Sequence, residues 1–168
     1  MTRQPANGPG NWVLLSYRMP REPSTPRITI WRKLKRLGVA QLSDGLIALP
    51  ADARTREQLD WIAEEIVESG GTATVWLAQP ATLAQERDLA AAMAAARRDE
   101  YRAIIDQATA AESAGAPERL RTVRRLRDEL RRIHRRDYFP PTERNTARQA
   151  VESLAEPRTT ADAPEITP

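Results

Sequence analysis

The sequence predicts an α+β fold in which four antiparallel strands lie under two helices and a purely helical subdomain follows. Three observations carry this. Between Trp12 and Gln79, short apolar runs alternate with two amphipathic stretches in the order strand, helix, strand, strand, helix, strand. Glycine and proline stand at the joints of that order. From Thr82 onward the pattern changes to long Ala-, Arg- and Glu-rich segments of helical period.

Gly8, Pro9 and Gly10 close a polar leader, residues 1–10, expected to be disordered. Val13, Leu14, Leu15 and Tyr17 make a short, apolar and therefore central strand, ended by Pro20, Pro23 and Pro26. Ser24 is the expected N-cap of the first helix, with Pro26 tolerated in its first turn. Ile28, Trp31, Leu34 and Leu37 recur every third residue until Gly38 stops it. Residues 39–42 and 46–49 read as a hairpin around Ser43-Asp44-Gly45, whose glycine accepts positive φ. Thr55 and Gln58 have capping-box spacing, and Leu59, Ile62, Ile66 and Val67 follow helical spacing up to Gly70-Gly71. Residues 72–79, with Thr74, Val75 and Trp76, supply the fourth strand. Two βαβ-like halves of this length give a ferredoxin-like domain over residues 11–79. A winged helix would need three helices before its hairpin, and only one precedes it here.

Thr82 and Gln85 form another capping box at the start of a helical hairpin subdomain, residues 81–155. Gly115-Ala116-Pro117 breaks it, after which Leu120, Val123, Leu126, Leu130 and Ile133 recur at three- and four-residue intervals, opposite Met93, Tyr101, Ile104 and Ile105. Pro140-Pro141 ends the second helix, and Thr142 caps a short one through Leu154. Residues 156–168, rich in proline and poor in large apolar groups, are expected to be a disordered tail.

The composition limits the chemistry. There is no cysteine, so disulfides, thiolate ligands and thiol nucleophiles are excluded, and the single histidine, His134, stands among arginines that make it a poor metal ligand. Glu64-Glu65 and Asp128-Glu129 lie on helices with nothing converging on them, so they are expected to form ion pairs. Gly70-Gly71 stops a helix instead of opening one, so it is not a phosphate loop. No enzyme, cofactor or metal is expected. No run approaches the roughly 20 apolar residues of a membrane span, and the first residues lack a signal peptide's apolar core, so a cytoplasmic location is expected. Trp12, Trp31, Trp61 and Trp76 are expected in the core, where each buried ring stabilises by about 2 kcal/mol.

The net charge is only +3, but it is unevenly distributed. Residues 18–36 hold seven basic side chains against Glu22, and residues 117–137 hold nine arginines against four acids. Two such blocks point to a polyanion or an acidic partner. The candidate contacts are Arg18, Arg27, Arg32, Lys35 and Arg36 in the first block, and Arg124, Arg125, Arg131, Arg132 and Arg135 in the second. Either face could track a nucleic-acid backbone or hold a tetrahedral oxyanion by bidentate hydrogen bonds. The bland alternative is a solvated helix face whose arginines pair with nearby acids.

The stretch Trp12-Val-Leu-Leu-Ser-Tyr-Arg-Met-Pro20 through Arg27, then Trp31-Arg-Lys-Leu-Lys-Arg-Leu-Gly38, Asp44-Gly-Leu-Ile-Ala-Leu-Pro50, Ser69-Gly-Gly-Thr-Ala73, Arg98-Asp-Glu-Tyr101 and Arg135-Arg-Asp-Tyr-Phe139 resemble the N-terminal domain of the ChrB family of chromate-resistance regulators. The resemblance covers residues 11–155. It implies a chromate-responsive protein that binds DNA to control a chromate efflux operon. Members of that family carry a further C-terminal domain, which residues 156–168 cannot form, so the resemblance implies a stand-alone version, half of a split pair, or a relative with another regulatory role. The strand-helix-hairpin pattern also resembles the ferredoxin-like module of the phenylacetate-pathway repressor, whose N-terminal winged helix has no counterpart here, and that of small CRISPR-associated nucleases. Those nucleases place a metal-binding Asp where this chain has Tyr17-Arg18, which argues against metal-dependent cleavage.

The expectation is therefore a non-catalytic regulator with DNA as partner, chromate or another oxyanion as a further ligand, and no membrane association. The alternative is a helical interaction subunit for an acidic protein, such as a separately encoded chromate-resistance C-terminal domain. A homodimer is left open.

Overall fold

A computed structural model describes residues 9–157, so the leader expected at 1–10 and the tail expected at 156–168 fall almost wholly outside the described residues. The chain runs β1 (Trp12–Arg18), α1 (Ser24–Leu37), β2 (Ala40–Ser43), β3 (Leu46–Pro50), α2 (Ala53–Glu68), β4 (Thr72–Ala78), α3 (Leu83–Ala110), α4 (Ala116–His134) and α5 (Glu143–Ala155). The strands form one sheet in the order β2-β3-β1-β4, antiparallel at every junction, which is ferredoxin-like topology. Two compact units result. The first extends to Arg97 and adds His134–Pro141; the second holds Arg98–Ile133 and the chain from Thr142.

In the first unit, strand alternation puts Val13 and Leu15, opposite Leu49 and Ile47, on one sheet face. They are buried with Ile30 and Leu34 of α1 and Leu59, Ile62 and Ile66 of α2. On the other face Trp12, 2% exposed, stacks on Phe139 with centroids 6.0 Å apart, while its indole N–H donates to Glu86 Oε1 at 3.1 Å. The second unit packs Tyr101, Ile104 and Ala108 of α3 with Val123, Leu126, Leu130 and Ile133 of α4 and Ala147, Val151 and Leu154 of α5. Three helices therefore share this core, and Met93, expected to face α4, belongs to the core of the sheet unit.

Several local expectations are corrected. The N-cap of α1 is Pro23, without a side-chain cap bond, so Ser24 is the first helical residue. The capping box of α2 lies one turn earlier than expected: Asp52 Oδ1 accepts from the Thr55 N–H at 2.7 Å, and Thr55 Oγ1 accepts from the Asp52 N–H at 3.0 Å. Thr55 is fully buried, and its hydroxyl is satisfied there by also donating to the Pro50 carbonyl at 2.7 Å. Thr142 makes no side-chain cap to α5. Of the four tryptophans only Trp12 is buried; Trp61 is 62% and Trp76 54% exposed, and Trp31 is half-buried. Trp61 lies about 130° around the helix from the centre of the buried stripe of Thr55, Leu59, Ile62 and Ile66. Val67, at 56%, and Ile28, at 44%, likewise face solvent despite their place in the apolar repeats.

A candidate polyanion interface

The carboxyl end of β1 and the first turn of α1 meet at the tip of the β2–β3 hairpin. Gly45 makes this possible. Its φ is 74°, and a Cβ there would stand 2.3 Å from the Tyr17 carbonyl oxygen, so only glycine lets the hairpin approach β1 this closely. The Tyr17 N–H donates to the Gly45 carbonyl at 2.7 Å, fixing the tip against the strand end. Burial pushes the Tyr17 phenol above its ordinary value of 10.0, and the neighbouring Asp44 carboxylate adds to the shift.

These contacts frame an open groove of about 680 Å³. Arg18 and Arg27 stand in its lining beside Tyr17, Ile28 and Trp31, with Asp44 the one carboxylate there. The first turn of α1 contains no acid, so the partial positive charge of its free N–H groups adds to the two guanidinium groups. Lys35 lies over the Trp31 ring, 5.1 Å from its centroid, which continues the cationic surface along the helix. Arg18, Arg27, Arg32 and Arg36 are all exposed, and among the described residues none of the four has a carboxylate within ion-pair distance. Lys33 differs, since its ammonium is taken up by Glu65 of α2.

Five arginines of the second block are engaged within the helical unit, three of them bridging α4 to α3 or α5. Arg119 donates to the Leu154 and Glu156 carbonyls at the end of α5, at 3.4 and 2.9 Å. Arg125 donates to Gln107 Oε1 of α3 at 2.6 Å and lies 3.9 Å from Glu129. Arg127 binds Glu152 of α5 at 3.0 Å, Arg131 pairs with Asp128, and Arg132 donates to the Asp128 carbonyl at 3.4 Å. Arg124 is exposed and outside these pairs. Arg135 belongs to the sheet unit, where its carbonyl accepts from Arg54 at 3.3 Å. The ten candidate side chains therefore divide: Arg18 and Arg27 share one groove, Lys35, Arg32 and Arg36 follow on α1, and Arg125, Arg131 and Arg132 are engaged within the helical unit.

Sequence reasoning missed Trp31 as part of the groove. The four-residue step from Trp31 to Lys35 was the signal that could have found it, because that spacing stacks the ammonium on the ring. Among the described residues, no group of three or more His, Asp or Glu side chains could hold a metal ion, and no helix is long and apolar enough to cross a membrane.

Fold and groove together define a ferredoxin-like α+β module with a solvent-facing cationic cleft at one end of its sheet. Residues 27–161 match the family described as Protein ChrB, N-terminal, and the chain belongs to that family. It is 30% identical over 109 residues to Protein ChrB of Cupriavidus metallidurans, a match that covers 65% of this chain and 30% of that protein. The chain thus corresponds to less than a third of the length of this curated relative.

Proposed function

We propose that this chain is a non-catalytic regulatory protein of ChrB type that binds DNA in the cytoplasm to control chromate-resistance genes. The observation that carries the reading is the contrast between the two basic blocks. Arg18 and Arg27 in an aromatic-lined groove, and Arg32 and Arg36 further along α1, are exposed without carboxylate partners, whereas most arginines of α4 are already engaged. Unpaired guanidinium groups at the mouth of a cleft bind phosphate bidentately and release condensed counterions. Trp31 and Tyr17 add flat surfaces that suit sugar and base edges. Chromate or another tetrahedral oxyanion is the proposed effector, acting by changing the affinity for DNA.

Fluorescence anisotropy of duplex from the protein's own operon, titrated across salt, tests the proposal. Affinity that falls steeply with salt and exceeds that for random duplex is expected; salt-independent binding, or no preference, rejects it. Addition of chromate, with sulfate as control, tests the effector. A second reading, an acidic protein as partner, is favoured by Leu120, which is 53% exposed on α4 next to the exposed Arg121 and one turn before the exposed Arg124. Co-purification from the native host, lost on Leu120→Ala and Arg124→Ala, would support it; recovery of the chain without an acidic partner would reject it.

A further inference from the structure

We propose that β4 pairs with β4 of a second copy about a twofold axis at Val75, giving a homodimer with one continuous eight-stranded sheet. The two edges of the sheet differ. β2 has four residues, and its register slips between Gln41 and Ser43, features that blunt an edge. β4 has seven residues, pairs in unbroken register with β1, and contains neither a charge nor a proline between Thr72 and Ala78. Every second residue of β4 points its N–H and C=O away from β1, and among the described residues no strand meets them. Such an edge is a template for another strand.

Self-complementarity selects a second copy as the occupant. An antiparallel pair centred on Val75 sets Leu77 opposite Ala73 and Trp76 opposite Thr74, so each exposed large side chain meets a small one. The flank along α2 is complementary in charge as well. Arg56 lines the hollow beside Leu77, where the one carboxylate, Asp52, is taken up in capping α2, while Glu64 and Glu68 line the hollow beside Ala73, together with the exposed Val67. The twofold operation that brings Leu77 against Ala73 of the other copy brings Arg56 against the other copy's Glu64 and Glu68, twice per dimer. Arg56 has one competing partner in its own chain, Asp60 at 3.9 Å, and both are exposed enough for that pair to be weak.

Sedimentation velocity of the full chain over a concentration series, without DNA, tests this independently of the proposed regulatory role. A concentration-dependent dimer is expected, and Leu77→Lys should leave a monomer with unchanged circular dichroism. Arg56→Glu alone, and Glu64→Arg with Glu68→Arg alone, should each raise the dimer dissociation constant roughly tenfold or more. Mixing those two variants should restore a heterodimer of wild-type affinity, since every contact across the axis is again between opposite charges. A monomer at all concentrations, a dimer unaffected by Leu77→Lys, or a mixture no tighter than its components would each overturn the proposal. A chain that contains no cysteine allows one further check: Val75→Cys should form a disulfide-linked dimer on mild oxidation, because residues on the axis have Cα atoms within bridging distance.

Discussion

Replacing Gly45 by alanine perturbs the point on which the cationic groove depends. With φ at 74°, an L-residue costs about 1–2 kcal/mol in backbone strain. The added Cβ would also lie 2.3 Å from the Tyr17 carbonyl oxygen, a backbone atom that cannot swing aside. The hairpin tip must therefore retreat, and the 2.7 Å hydrogen bond from the Tyr17 N–H to the Gly45 carbonyl is lost, a further cost of about 1 kcal/mol. The sheet unit should lose about 2–3 kcal/mol in urea unfolding followed by tryptophan fluorescence. The same retreat frees the end of β1 that carries Arg18 from the hairpin tip and so loosens the Arg18–Arg27 pairing, and DNA affinity should fall even where the variant is fully folded, despite the withdrawal of the Asp44 carboxylate. A stability change below about 0.5 kcal/mol would refute the reasoning, because the clash is with rigid backbone and has no cheap relief.

Other positions give independent checks. Asp52→Ala removes the side chain that accepts from the Thr55 N–H and should destabilise the sheet unit by about 1 kcal/mol in the same assay. Leu126→Ala, at a fully buried position of the helical core, should cost about 2–5 kcal/mol and expose the second unit to limited proteolysis. The Tyr138 phenol is pushed up by burial and held back chiefly by Arg54, so Arg54→Gln should raise its titration midpoint further, read by ultraviolet absorbance. For Tyr17, whose folded value is raised, the stabilisation is complete below pH 10 and is lost as pH rises through the folded value. Asp44→Asn should lower that midpoint and narrow the window.

The order of strands and helices was legible because proline and glycine fall at nearly every joint, and because residues 12–15 and 46–49 have too few polar positions to be surface helix. Side-chain burial was less so. Helical spacing placed Val67 and Ile28 on apolar stripes, but a stripe's width depends on how far the neighbouring strand reaches, and β4 ends the sheet beside Val67. The cap of α2 was misplaced because Thr55 suits an N-cap as well as it suits the N3 position that Asp52 gives it. Both basic blocks were visible, but their inequality was not. The partners that engage Arg119, Arg125 and Arg127 across the unit, namely Gln107, Glu152 and the carbonyls at the end of α5, lie 18 to 37 positions away in sequence. Local charge counts cannot register them. The joining of Arg18 to Arg27 likewise requires the β1–β3 register that brings Gly45 to Tyr17.

In the proposed function, the end of β1 and the exposed face of α1, not the arginines of α4, grip a polyanion. The salt dependence of duplex binding, compared between Arg18→Gln with Arg27→Gln and Arg125→Gln with Arg127→Gln, tests it most directly. The first pair should lower the slope of log affinity against log salt by about 1.8, two phosphate contacts at about 0.9 each, and the second should leave it unchanged. A slope that falls only for the second pair, or for neither, would place the polyanion elsewhere.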